Sequence, residues 1–103
     1  MIVFTVMYPN GPGKRFDVDY YCTKHLGLVK QLVGDALKGV SVEKGLSGAE
    51  PGSPAGNAVV CRLMFDSMDD LATRMAPHSP AFDADVPNFT DITPVFEIRE
   101  VIV

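Results

Sequence analysis

The side chains with the clearest chemical potential are two histidines, three tyrosines, two cysteines and one arginine set in an apolar strand. Tyr21 precedes His25 by one helical turn, so in a helix both rings leave the same face. An imidazole, with an unperturbed pKa of about 6.5, can take up or release a proton near neutrality. Beside an apolar hollow it could remove a proton α to a carbonyl, the step that isomerisation, cyclisation and dehydration share. The same spacing also suits a core histidine held by one hydrogen bond. Tyr20 and Tyr21 diverge by about 100° around a helix, so only one can join His25, and the register selects Tyr21. Its phenol could donate to a developing oxyanion, or serve as an amphipathic aromatic at the edge of a core. Tyr8 ends an apolar strand on the side of Phe4 and Val6, where it could line a pocket mouth.

Arg62 lies between Val60 and Met64 on one face of a strand, where an unpaired guanidinium is costly. Either it meets Glu97 or Glu100 across the sheet or a subunit interface, or it binds an anionic part of a ligand. The alternating Glu97, Arg99 and Glu100 favour the ion pair. His78 follows Pro77 at a break between helical pieces, an exposed position that could also contribute a second ligand-binding histidine. Asp17 is a helix cap before it is an acid. Cys22 and Cys61 form no CxxC pair and no spaced set with the histidines, so they read as reduced core residues and no metal site is expected. Gly11-Pro12-Gly13-Lys14 lacks the spacing of a phosphate-binding loop, and Gly45-Leu46-Ser47-Gly48 falls short of a nucleophile elbow.

The elements that must position these groups follow from periodicity. Residues 2–8 alternate as a strand with two apolar faces, both of which need cover. A helix opens at Asp17, with Phe16 stapled onto Tyr21 across the cap. Its stripe is Val18, Tyr21, Cys22, His25, Val29 and Leu32, with a kink or break expected at Gly27. Gly34 and Gly39 bracket the exit into a second strand around Val40 and Val42. The Gly- and Pro-rich stretch 47–56 is a surface loop joining antiparallel neighbours. Residues 57–66 form the third strand. Ser67 caps a second helix that is interrupted at Pro77, resumes at Ser79-Pro80 and ends at Pro87. A last strand runs from about Thr93 to Val103.

The order β-α-β-β-α-β is that of the ferredoxin-like split βαβ: an α+β fold with a four-stranded antiparallel sheet and both helices on one face. The 103 residues fit a single domain. Hydrophobic residues make up 47% and charged residues 21%, the balance of a globular chain. With 9 Lys and Arg against 13 Asp and Glu, the net charge of −4 offers no footprint for nucleic acid. No apolar stretch is long enough to span a membrane, and the N-terminus lacks a secretory pattern, so a cytoplasmic protein is expected. Apolar residues on the sheet face away from the helices predict a homodimer.

The segment Phe16-Asp17-Val18-Asp19-Tyr20-Tyr21-Cys22-Thr23-Lys24-His25-Leu26-Gly27-Leu28 resembles the F-D-x-x-Y-Y-x-x-H-x-P-L signature of EthD-like proteins, named for the degradation of ethyl tert-butyl ether. Tyr8-Pro9, Phe65-Asp66-Ser67, His78 and Asp85-Val86-Pro87-Asn88-Phe89-Thr90-Asp91 extend the likeness over nearly the whole chain. Gly27 departs from it, standing where the family usually has proline. The resemblance implies a dimeric α+β barrel whose subunits each enclose a small apolar cavity. Its superfamily includes muconolactone isomerases, polyketide cyclases, decarboxylases or dehydratases and cofactor-independent monooxygenases. The expectation is cofactor-free acid/base chemistry on a small apolar or aromatic carbonyl compound, with His25 and Tyr21 catalytic and Tyr8, Arg62 and His78 binding substrate. The alternatives are a cofactor-free monooxygenase and a non-catalytic protein that binds a hydrophobic metabolite or assists an oxidative degradation pathway.

Overall fold

Apolar alternation at the N-terminus produces β1 (Ile2–Pro9), and the same pattern after the Gly- and Pro-rich loop produces β3 (Asn57–Phe65). Between them lie the helical segment α1 (18–33) and β2 (Gly39–Lys44); α2 (68–88) and β4 (Val95–Glu100) follow. The computed structural model describes residues 1–103 and has the βαββαβ order that the sequence predicts. All neighbouring strands are antiparallel, in the order β2-β3-β1-β4. The fold is α+β and ferredoxin-like. Its core joins Val6, Cys61 and Leu63 of the sheet to Val29 and Val33 of α1 and Leu71 of α2.

Asp17 caps α1, its carboxylate accepting from the Tyr20 N–H at 3.0 Å, and Phe16 packs on Tyr21 with ring centroids 5.1 Å apart. No break falls at Gly27, which sits exposed within the regular helix Leu26–Val33. A glycine there costs only about 1 kcal/mol of helix propensity, which the buried Leu26 and Val29 on either side outweigh. The irregularity lies a turn earlier. The Leu26 N–H reaches back to the Tyr21 carbonyl, making Tyr21–His25 a π turn. That turn carries Tyr21 and His25 inward and leaves Cys22 exposed, so only Cys61 behaves as the expected core thiol. Gly34, at φ +68°, ends the helix in a conformation that favours glycine.

α2 is built from short pieces. Ser67 caps it, accepting from the Asp70 N–H at 3.1 Å, and a second π turn covers Leu71–Met75. Pro77, Pro80 and Pro87 each fall in the opening positions of a new piece, where a missing N–H leaves no helical bond unmade.

On the sheet face away from the helices, Ser41, Arg62, Thr5 and Glu97 stand in one row. Arg62 bonds Glu43 on β2, not Glu97 or Glu100. Central β1 separates Arg62 from β4, Glu97 is held by Arg99 at 2.7 Å, and Glu100 belongs to the opposite face. β4 is shorter than residues 93–103 because β1 begins at Ile2, opposite Glu100; beyond it the Val101 N–H still donates to the Met1 carbonyl at 2.9 Å, but Ile102 and Val103 lie past the start of β1. Along this edge Val95, Phe96, Ile98 and Val101 are about half exposed. Asp17→Ala should lower the unfolding free energy by about 1 kcal/mol in urea titrations, while Asp17→Asn should keep most of it.

Candidate active site

Between the helical layer and the inner sheet face lies a cavity of about 310 Å³. Phe4, Val6 and Tyr8 of β1, Leu63 of β3 and Val29 of α1 make its apolar walls, with Phe96 of β4 and the preceding Pro94 also in the lining. His25 is 6% exposed and lines this hollow. Its ring stacks on Tyr21 at 5.2 Å between centroids and 18° between planes, with Phe89 against it at 4.7 Å.

One imidazole nitrogen is committed. Nδ1 lies 2.8 Å from Asp85 Oδ2, where α2 leaves its last full α turn. The other carboxylate oxygen accepts from the Tyr20 hydroxyl at 2.7 Å and from the Asn88 amide at 2.9 Å. Partial burial pushes this carboxyl upward, but the donors Asn88, Tyr20 and His25 outweigh it and hold Asp85 below its ordinary pKa. A carboxylate at Nδ1 requires an N–H there, which leaves Nε2 as the unprotonated nitrogen of the neutral ring. Nε2 makes no hydrogen bond within the chain and keeps accessible surface, on a side chain that lines the hollow.

Two segments meet beside Asp85, Arg15–Asp17 before α1 and Pro87–Asp91 at the end of α2. The Arg15 guanidinium donates to the Pro87 carbonyl at 2.7 Å, and the Arg15 N–H donates to Asp91 at 3.0 Å. The Thr90 hydroxyl donates to the Arg15 carbonyl at 2.6 Å. Phe16 and Thr90 form a β-bridge, and the Asp17 N–H donates to the Phe89 carbonyl. This clasp presses the fully buried Phe89 into Tyr8, Phe16, Tyr21 and His25.

Tyr21 lines the cavity, as its register with His25 suggested, and Tyr20 turns instead to Asp85. Tyr8 also lines it, from the buried interior rather than the mouth, because Phe16 and Phe89 cover its outer side. Burial raises Tyr8 to about 12 and lifts Tyr21 well above the usual phenol range. Both hydroxyls therefore stay protonated and can donate. Burial also raises the Cys61 thiol, which stays protonated and is a poor nucleophile. Arg62 lies on the other face of the sheet, paired with Glu43, and cannot reach the hollow. His78 is half-buried against Phe82 at 6.3 Å and is absent from the lining. Sequence reasoning passed over Asp85, Asn88, Ser79 and Asp83, although Asp85 and Asn88 lie within a segment of the resemblance. No cluster of three His, Cys, Asp or Glu side chains has the arrangement of metal ligands, and no helix is long and apolar enough to cross a membrane.

The EthD domain model matches residues 13–93, a stretch containing both His25 and Asp85. The chain belongs to the EthD family. An EthD-like protein of Ralstonia eutropha is 40% identical, with a TM-score of 0.93, over 99% of this chain and 92% of its own. An ethyl tert-butyl ether (EthD) family protein of Bacillus halodurans superposes at a TM-score of 0.69 with 16% identity, over 99% of each chain. A dimeric protein of ferredoxin-like fold from Bacteroides fragilis has a TM-score of 0.52 and 11% identity, over 97% of this chain and 95% of its own; it shares the fold. No curated protein matches the chain.

The Asp85 contacts have a consequence for acid stability in this EthD chain. Folding lowers the Asp85 pKa, so the stabilisation is complete above the unfolded value of about 4 and is lost as pH falls through the lower folded value. Melting temperatures between neutral pH and about pH 3 should fall less steeply for Asp85→Asn than for the native chain.

Proposed function

We propose that this EthD-family protein is a cofactor-independent acid/base enzyme of the isomerase, cyclase or dehydratase type, acting on a small apolar or aromatic carbonyl compound. The supporting observation is the division of labour on His25: Nδ1 bonded to Asp85, Nε2 unbonded and open to an apolar hollow. In this reading Nε2 removes a proton α to the substrate carbonyl. The Tyr21 hydroxyl donates to the carbonyl oxygen as it gains negative charge, with the Tyr8 hydroxyl close by. Asp85 stabilises the imidazolium so formed and keeps the ring from turning. The imidazolium then returns its proton, to a different carbon in an isomerisation or to a departing hydroxyl in a dehydration. Apolar walls exclude water and strengthen each of these electrostatic contacts.

The test uses 5-nitrobenzisoxazole, whose ring opening reports removal of one proton by a base in an apolar site. Native protein should open it faster than His25→Gln by about a hundredfold or more, with both proteins equally folded by circular dichroism. Equal rates would refute the assignment and leave a binding protein as the reading.

The subunit is also proposed to pair with a second copy. The half-exposed Val95 and Val101, on the outer sheet face with Thr5 and Glu97, support this, as does the dimeric description of the Bacteroides fragilis protein. Light scattering at micromolar concentration should give twice the chain mass; a monomer would count against pairing.

A further inference from the structure

Next to the cavity, on the side of α2 and β4, runs an apolar groove of about 240 Å³. Phe4, Met75 and Ser79 line both hollows, so the two meet along a shared wall. Met68, Leu71, Ala72 and Ile98 continue the groove outward, and Ser79 is its one polar residue. Met75 belongs to the π turn of α2, and its unbranched thioether side chain can shift to admit a ligand between the hollows. Charge distribution narrows the ligand further. Asp83 and the His25 imidazole are the ionisable side chains in the cavity wall apart from the Tyr8 and Tyr21 phenols and the Cys61 thiol, and the groove has none. No lysine or arginine lines either space, and Arg62 faces away on the far side of the sheet. An anion entering would lose its hydration and meet the Asp83 carboxylate with no lysine or arginine to offset it, and His25 is already paired with the Asp85 carboxylate.

We infer that the substrate is an uncharged carbonyl compound with an extended apolar tail, its polar head at His25 and Tyr21 and its tail passing Phe4 and Met75 into the groove beside Ala72 and Ile98. This rests on the acid/base reading for the placement of the head. The tail is the occupant favoured here because the groove continues the cavity through three shared side chains.

The experiment measures Kd by NMR shift titration for methyl ketones bearing butyl, hexyl and octyl chains, and for the straight-chain carboxylates of matching length. Ketone affinity should rise roughly fourfold per added methylene through the octyl chain. The carboxylates should bind about tenfold more weakly or worse. Ala72→Trp, which fills the groove from an exposed helix position, should abolish the gain beyond butyl while leaving butyl methyl ketone unaffected. Affinity independent of length, or carboxylates binding as well as ketones, would overturn the inference. A change of molar mass in Ala72→Trp without loss of the length dependence would also overturn it, since the groove would then belong to a second copy. The series is repeated in His25→Gln. Length dependence kept there while the benzisoxazole assay shows no His25 effect would sink the acid/base reading alone; the reverse pattern would sink the tail site alone.

Discussion

The Asp85 carboxylate ties the two helical segments together beside the cavity. It accepts from Tyr20 and His25 of α1 and from Asn88 at the end of α2, so three donors converge on one side chain. A partly buried carboxylate needs such partners, since without them its charge would be poorly solvated. Its position depends in turn on the clasp between Arg15–Asp17 and Pro87–Asp91, which closes the layer over Phe89. Removing that convergence would release the imidazole as well as the helix contact. Ring orientation and helix packing are therefore one constraint.

The hollow beside the dyad is a departure from close packing. Walls that face empty space forgo the dispersion contacts a filled core would make. The aromatic cluster around Phe89 concentrates packing at one end of the cavity, and the two π turns widen both helical segments where His25 and Met75 face it. Irregular turns of this kind frequently accompany functional sites because they redirect side chains that a regular helix would place elsewhere. Here the first of them brings Tyr21 and His25 into a near-parallel stack and keeps Cys22 outside.

Charge is segregated by the sheet. Both ion pairs on the face away from the helices, Arg62–Glu43 and Arg99–Glu97, cover the central Thr5, whose hydroxyl has no partner. The opposite face holds the cavity without a basic side chain other than His25. Because successive strand residues point to opposite faces, a single alternation in β3 places Cys61 and Leu63 inside and Arg62 outside.

Most of the architecture was legible locally. Two-residue alternation marked β1 and β3, Asp17 and Ser67 marked the helix starts, and the Gly- and Pro-rich loop marked the hairpin, because each is a property of neighbouring residues. The same local logic placed Tyr21 with His25, one turn apart. It failed where a partner is distant in the chain. The choice of Glu43 for Arg62 depends on strand order, the absence of a break at Gly27 depends on what Leu26 and Val29 pack against, and the length of β4 depends on where β1 begins. Asp85 is separated from His25 by 60 residues, with no spacing rule to connect them. The sequence by itself determined the elements, their order and the imidazole that faces inward. Only the tertiary structure decided which nitrogen of that imidazole is free, because this follows from a carboxylate delivered by the other helical segment across the fold.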